Sequence, residues 1–133
     1  MNLIKNDDTG KLVLRLTLGF LTLFHGVAKV LHPDSLEFIG GRLAGIGLPE
    51  AFVYSVYIGE IVAPLLLITG VFVRIGGLLL VVNMLFAIGL AHMGDLLSLT
   101  EHGGYGLELQ FFYLFGALAV VFLGSGRYAL VPD

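Results

Sequence analysis

"LVLRLTLGFLTLFHGVAKVL", residues 12–31, decides how the rest of the chain is read. A helix of about 20 residues is about 30 Å long. That is the thickness of the hydrocarbon core of a bilayer. Yet this run carries Arg15, His25 and Lys29, and His32 follows it. A lone charge at mid-membrane costs roughly 2.5–3.5 kcal/mol on insertion scales. The positions are not random. Arg15, Gly19, Thr22, Gly26 and Lys29 are spaced 4, 3, 4 and 3 apart, which keeps them on one helix face. Small residues there let a neighbouring backbone approach, so this face is expected to point into a bundle.

Composition supports lipid as the solvent. The 133 residues are 57% hydrophobic and 13% charged, against about 45–50% and 25% in soluble domains. Three further apolar runs of helical length follow, at about 52–71, 74–93 and 107–124. Helices satisfy their own backbone in lipid. The expectation is one all-α domain over residues 1–133, an integral membrane bundle of four transmembrane helices. Asp7 and Asp8 spoil the basic lead of a signal peptide, so the first run is read as a retained span. The longer connection, "HPDSLEFIGGRLAGIGLPE" (32–50), places Leu36, Ile39, Leu43 and Ile46 at helical spacing. It reads as a short interfacial segment between helices 1 and 2, with a solvated loop as the alternative.

Lys5, Lys11, Arg15, Arg74 and Arg127 fall on the side of the termini, while Arg42 and Lys29 fall opposite. The positive-inside rule then puts both termini in the cytoplasm. Arg15 is assigned to the cytoplasmic headgroup region. A net charge of −3 argues against nucleic acid as a partner, and the lack of cysteine excludes thiolate chemistry within the chain.

Glu60, in "YIGEIVAPLLL" (57–67), falls near mid-membrane, about 13 Å from the end of its span at the helical rise. It is too deep to snorkel. Pro64 removes the hydrogen bond to the Glu60 carbonyl, so the side chain and the backbone oxygen both need partners. Tyr57, one turn away, is a candidate donor. Lys29 is expected to pair with Glu60 or Glu108; the alternative is that it snorkels to the surface. Asn83 reads as interhelical glue. His92 and His102 read as interfacial or loop residues, and no metal site is expected. Haem between His25 and His92 is disfavoured, because their depths differ by roughly 10 Å.

The ordered set "RLTLGFLTLFHGVAKVL" (15–31), "GLP" (47–49), "GEIVAPLLLITGVFVRIGGLLL" (59–80), "GLELQFFYLFGALAVVFLG" (106–124) and "GSGRYAL" (124–130) resembles the DoxX family of small four-helix membrane proteins. The resemblance covers about residues 11–130. It implies a bacterial inner-membrane protein with a redox role, since the family takes its name from a subunit of an archaeal quinol oxidase. Lys29, Glu60 and Glu108 match its polar positions, and Arg15 and Arg74 its basic ones.

Two functions are compatible with these residues. The first is a quinone-linked oxidoreductase subunit acting with a redox partner protein. His25, Lys29, Glu60 and Glu108 would then exchange protons, between walls of Tyr57, Phe24, Phe111 and Phe112. The second is a non-enzymatic membrane scaffold or assembly factor, whose buried ion pairs fix helix register. Under either reading the bilayer is a partner, and a second copy of the chain is a candidate one.

Overall fold

The structure is a computed structural model, described over residues 4–91 and 93–133. It is all helical. Helix α1 (Asp7–Leu31) is followed by the short α2 (Asp34–Gly45). The second span, Ala51–Thr69, is composite. A 3₁₀ turn (Glu50–Ser55) leads to a π turn (Ile58–Val62) and then to α3 (Ala63–Thr69). Helices α4 (Val73–Ala91) and α5 (Glu108–Leu123) complete the bundle.

Three of these helices are long and apolar enough to cross a membrane: α1, the second span and α4. The apolar α5 has 16 residues, about 24 Å at the helical rise. It packs along the length of α4. Gly77 faces Ala117, Val120 and Val121 near one end, and Ile88 meets Leu107 and Leu114 near the other. The outcome is the expected helical membrane bundle, with sequential helices antiparallel.

Helix α1 starts five residues earlier than the apolar run, because the Asn6 side chain caps it by accepting from the Thr9 N–H at 3.0 Å. Helix α2 keeps its helical turns through Gly40 and Gly41 because its apolar face is covered: Leu36 and Leu43 are buried against Val53. Packing outweighs glycine's weak helix propensity here.

The side of the bundle that carries the termini is tightly tied. Arg15 is only 1% exposed, so it does not sit among headgroups as expected. Its Nε donates to the Leu67 carbonyl at 3.0 Å, and Nη1 donates to the carbonyls of Ser125 and Tyr128 at 2.7 and 2.9 Å. These oxygens end the second span and form the C-terminal segment, where helix-end carbonyls lack intrahelical partners. The C-terminal segment also pairs with the turn after α3, through Leu130 N–H to Thr69 O and Val131 N–H to Gly70 O. Asp133 accepts from the Arg74 and Ser125 N–H groups, each at 3.1 Å. Asp8 accepts from the Arg127 N–H at 3.0 Å. The start of α1 and the C-terminal segment therefore meet at one end of the bundle, and α2 lies at the opposite, loop side.

Candidate functional site

The stripe read on α1 faces the second span. A Cβ built on Gly19 would lie 2.7 Å from Ile68 Cγ1 and 3.1 Å from the Pro64 carbonyl oxygen. One built on Gly26 would lie 2.7 Å from the Glu60 carbonyl carbon and closer still to its oxygen. This is the carbonyl that Pro64 leaves without its helical donor. It is met by the backbone of Gly26, an approach open only to a residue without a side chain. The local strand of helix answers the proline too: the π turn Ile58–Val62 contains Glu60. Single π turns within helices recur at functional sites.

One turn further along α1, Lys29 Nζ hydrogen-bonds and ion-pairs with Glu60 Oε1. Their side chains are 18% and 9% exposed. The pair is therefore weakly screened, and removing either partner would strand the other charge. Tyr57 does not reach the Glu60 side chain. Its hydroxyl donates instead to the Lys29 carbonyl at 3.4 Å, so it supports the end of α1 that carries the lysine.

Two cavities meet at this pair. The larger, about 480 Å³, lies beneath α2, with Leu43, Phe52, Val53, Phe86 and Leu90 among its walls and Lys29, Glu60 and Asn83 as its polar groups. The smaller, about 150 Å³, lies between α1, α4 and α5, and its walls include Thr22, His25, Gln110 and Tyr113. Lys29, Glu60, Asn83 and Ala87 line both. Asn83 can stand there because Gly59 has no side chain; a Cβ on Gly59 would fall 2.6 Å from Asn83 Oδ1.

The remaining sequence candidates lie elsewhere. Glu108, the first residue of α5, turns its carboxylate over Gly104 in the preceding loop and is exposed, with no bond to Lys29. Phe24 is 71% exposed and Phe112 81%, both on the outer surface of the bundle. Phe111 stacks on Tyr105 and Phe115 at ring separations of 5.7 and 5.8 Å. His102 is exposed in the loop before α5. His92 lies outside the described residues, and with it the His25–His92 pairing. His25 does reach the site, at the mouth of the smaller cavity, edge-on to Tyr113 with 6.1 Å between ring centroids. The walls that the sequence reading missed are Phe52, Phe86 and α2 itself. Asn83, Phe86, Ala87 and Leu90 do carry a signal, since spacings of 3, 4 and 7 share one helix face.

A helical membrane bundle with an ion pair buried between its first two spans is the class of protein that fold and site define. The chain belongs to the DoxX family, whose model matches residues 10–93. It is similar to an uncharacterized protein of Haemophilus influenzae, 36% identical over 121 residues, covering 88% of this chain and 84% of the relative. It is also similar to an uncharacterized membrane protein of Mycobacterium tuberculosis, 29% identical over 126 residues, covering 88% of this chain and 76% of that one. No solved structure matches.

Proposed function

We propose that this DoxX protein is a quinone-linked redox subunit of the bacterial inner membrane, with both termini cytoplasmic. The observation that carries the reading is a charged pair at the wall of an otherwise apolar cavity of about 480 Å³. That volume lies in the range of small-molecule sites, which are mostly apolar with a few placed polar groups. A quinone headgroup needs the same combination: flat apolar walls for the ring and donors for its two oxygens. Phe52 and Phe86 supply aromatic walls. Lys29 Nζ donates to a quinone oxygen, and Glu60 accepts a proton when a quinol hydroxyl loses one. Oxidation of a quinol releases two electrons and two protons. The electrons pass to a redox centre on a partner protein, and the protons leave through ionisable groups beside the cavity. Four basic residues on the side of the termini, Lys5, Lys11, Arg74 and Arg127, against Arg42 on the loop side support the orientation.

A second reading, a membrane scaffold or assembly factor, is favoured by one specific feature. The Lys29–Glu60 pair and the Arg15 bonds both tie α1 to the second span, as a register-fixing device would. One experiment separates the two. The protein is purified in mild detergent, extracted for quinone and scanned for visible absorbance, alongside Lys29→Met and Glu60→Gln. The redox reading expects quinone in the wild type and its loss from both variants. A quinone-free wild type whose Glu60→Gln variant merely unfolds would sink it.

A further inference from the structure

Thr22 is 3% exposed, and its hydroxyl oxygen has no hydrogen-bond partner among the described residues. Threonine inside a helix ordinarily returns its hydroxyl to a carbonyl three or four residues back. Thr22 does not, and it lines the smaller cavity. A buried hydroxyl without a partner is what an ordered water corrects. The cavity is small and mixes apolar walls with several hydrogen-bonding groups, a combination that suits water. Its volume of about 150 Å³ is well above the roughly 10–15 Å³ that one water needs. Its walls offer Thr22, His25, Asn83, Gln110 and Tyr113 as hydrogen-bonding groups, and the Lys29–Glu60 pair closes its inner side.

The mouth lies in the loop-side half of the bundle, between α1 and the first turn of α5. His25 is exposed, and so is Leu109 at 56%; Leu109 and Gln110 belong to the first turn of α5. The titratable groups that line the cavity with Glu60 are Lys29 and His25 from α1 and Tyr113 from α5. Helix α4 contributes Asn83, which does not titrate. On Glu60's own span, Tyr57 is engaged with the Lys29 carbonyl. Of these side chains, imidazole is the one most often used to shuttle protons.

We propose that the smaller cavity is a water-filled proton antechamber, connecting Glu60 to the loop-side surface through His25. A proton leaves the His25 imidazolium, passes along the waters held by Thr22, Asn83, Gln110 and Tyr113, and bonds to a Glu60 carboxylate oxygen. The imidazole is left neutral, and so is Glu60, which releases Lys29 toward the larger cavity. The reverse path carries protons out. The hydration stands by itself; its use in redox chemistry rests on the quinone-linked reading.

Radiolytic hydroxyl footprinting in lipid nanodiscs tests the water directly, because radicals formed at trapped water label adjacent side chains. Met84 and Tyr113 line the chamber. In the wild type both are labelled well above background. Combining Thr22→Val with His25→Phe lowers their labelling at least fivefold, while Tyr105 in the loop is unchanged. Background labelling in the wild type, or no fall in the variant, overturns the proposal. A second arm follows the proton. In Lys29→Met, protonation of Glu60 is followed by the infrared band of its carboxyl, absent when Glu60→Gln is added. Its exchange with deuterium slows at least tenfold on adding Thr22→Val and His25→Phe, and an equal rate overturns the relay. Should Lys29→Met fail to fold, the wild-type footprint decides. A protein that holds no quinone yet labels Met84 and Tyr113 loses the redox reading and keeps the chamber. One that holds quinone beside a dry cavity does the reverse.

Discussion

The backbone of Gly26 abuts the carbonyl of Glu60, the oxygen that Pro64 deprives of its helical donor. The close approach brings the turn of α1 that carries Lys29 against the π turn that carries Glu60. Gly26→Ala would push a methyl group into backbone, which cannot swing aside. Overpacking of this kind costs about 1–3 kcal/mol. Gly89 has nothing within 4 Å of a Cβ, so Gly89→Ala is the control. Thermal unfolding in detergent is expected to fall by several degrees for the first and to hold or rise for the second.

The Lys29–Glu60 pair predicts strong non-additivity. Removing one partner of a buried pair costs about 3–5 kcal/mol, because the other charge is left alone. Lys29→Met and Glu60→Gln should each destabilise, and the double variant should regain most of the loss. A double-mutant cycle from equilibrium unfolding would measure it. Additive losses would mean that the two charges do not share one environment.

Arg15 should not be replaceable by lysine. Its planar fork reaches three carbonyls on two segments, and a lysine ammonium lacks that geometry. Arg15→Lys is expected to cost at least about 2 kcal/mol and to loosen residues 125–133. Limited proteolysis would report this as faster cleavage in that segment, with the spans intact.

Ala87 lines both cavities beside the ion pair. Ala87→Phe fills space that a ligand would take, without touching a charge. Quinone retention should drop severalfold while the melting temperature is unchanged or higher. Retention at the wild-type level would place the ligand elsewhere.

The small-residue stripe on α1 was legible because Gly19 and Gly26 do the same thing, each admitting the second span. Spacing and antiparallel order brought Lys29 toward Glu60 or Glu108, and the structure pairs it with Glu60. What escaped was rotation about each helix axis. On α5, Glu108 precedes Gln110 by two residues, about 200° around a helix of 3.6 residues per turn. With Gln110 and Tyr113 turned to the cavity, Glu108 must turn away. Phe24 is likewise about 100° from its neighbour His25 and meets the exterior. Four apolar helices give little pattern for setting such angles, since lipid and core favour the same side chains. Arg15 was misplaced for a different reason: the carbonyls that bind it lie more than 50 and more than 100 residues away in sequence. The cavity beneath α2 depends on a helix whose sequence is equally compatible with a loop.

The Arg15 clasp has a mechanical consequence. Helix α1, the second span and the C-terminal segment are pinned together at one end by a buried guanidinium and by backbone pairing. At the other end, α2 covers the larger cavity through a small cluster built on Leu36, Leu43 and Val53. Opening at the α2 side breaks side-chain packing alone, whereas opening at the clasp strands a buried guanidinium and several carbonyls, so the cover over the larger cavity is expected to yield first.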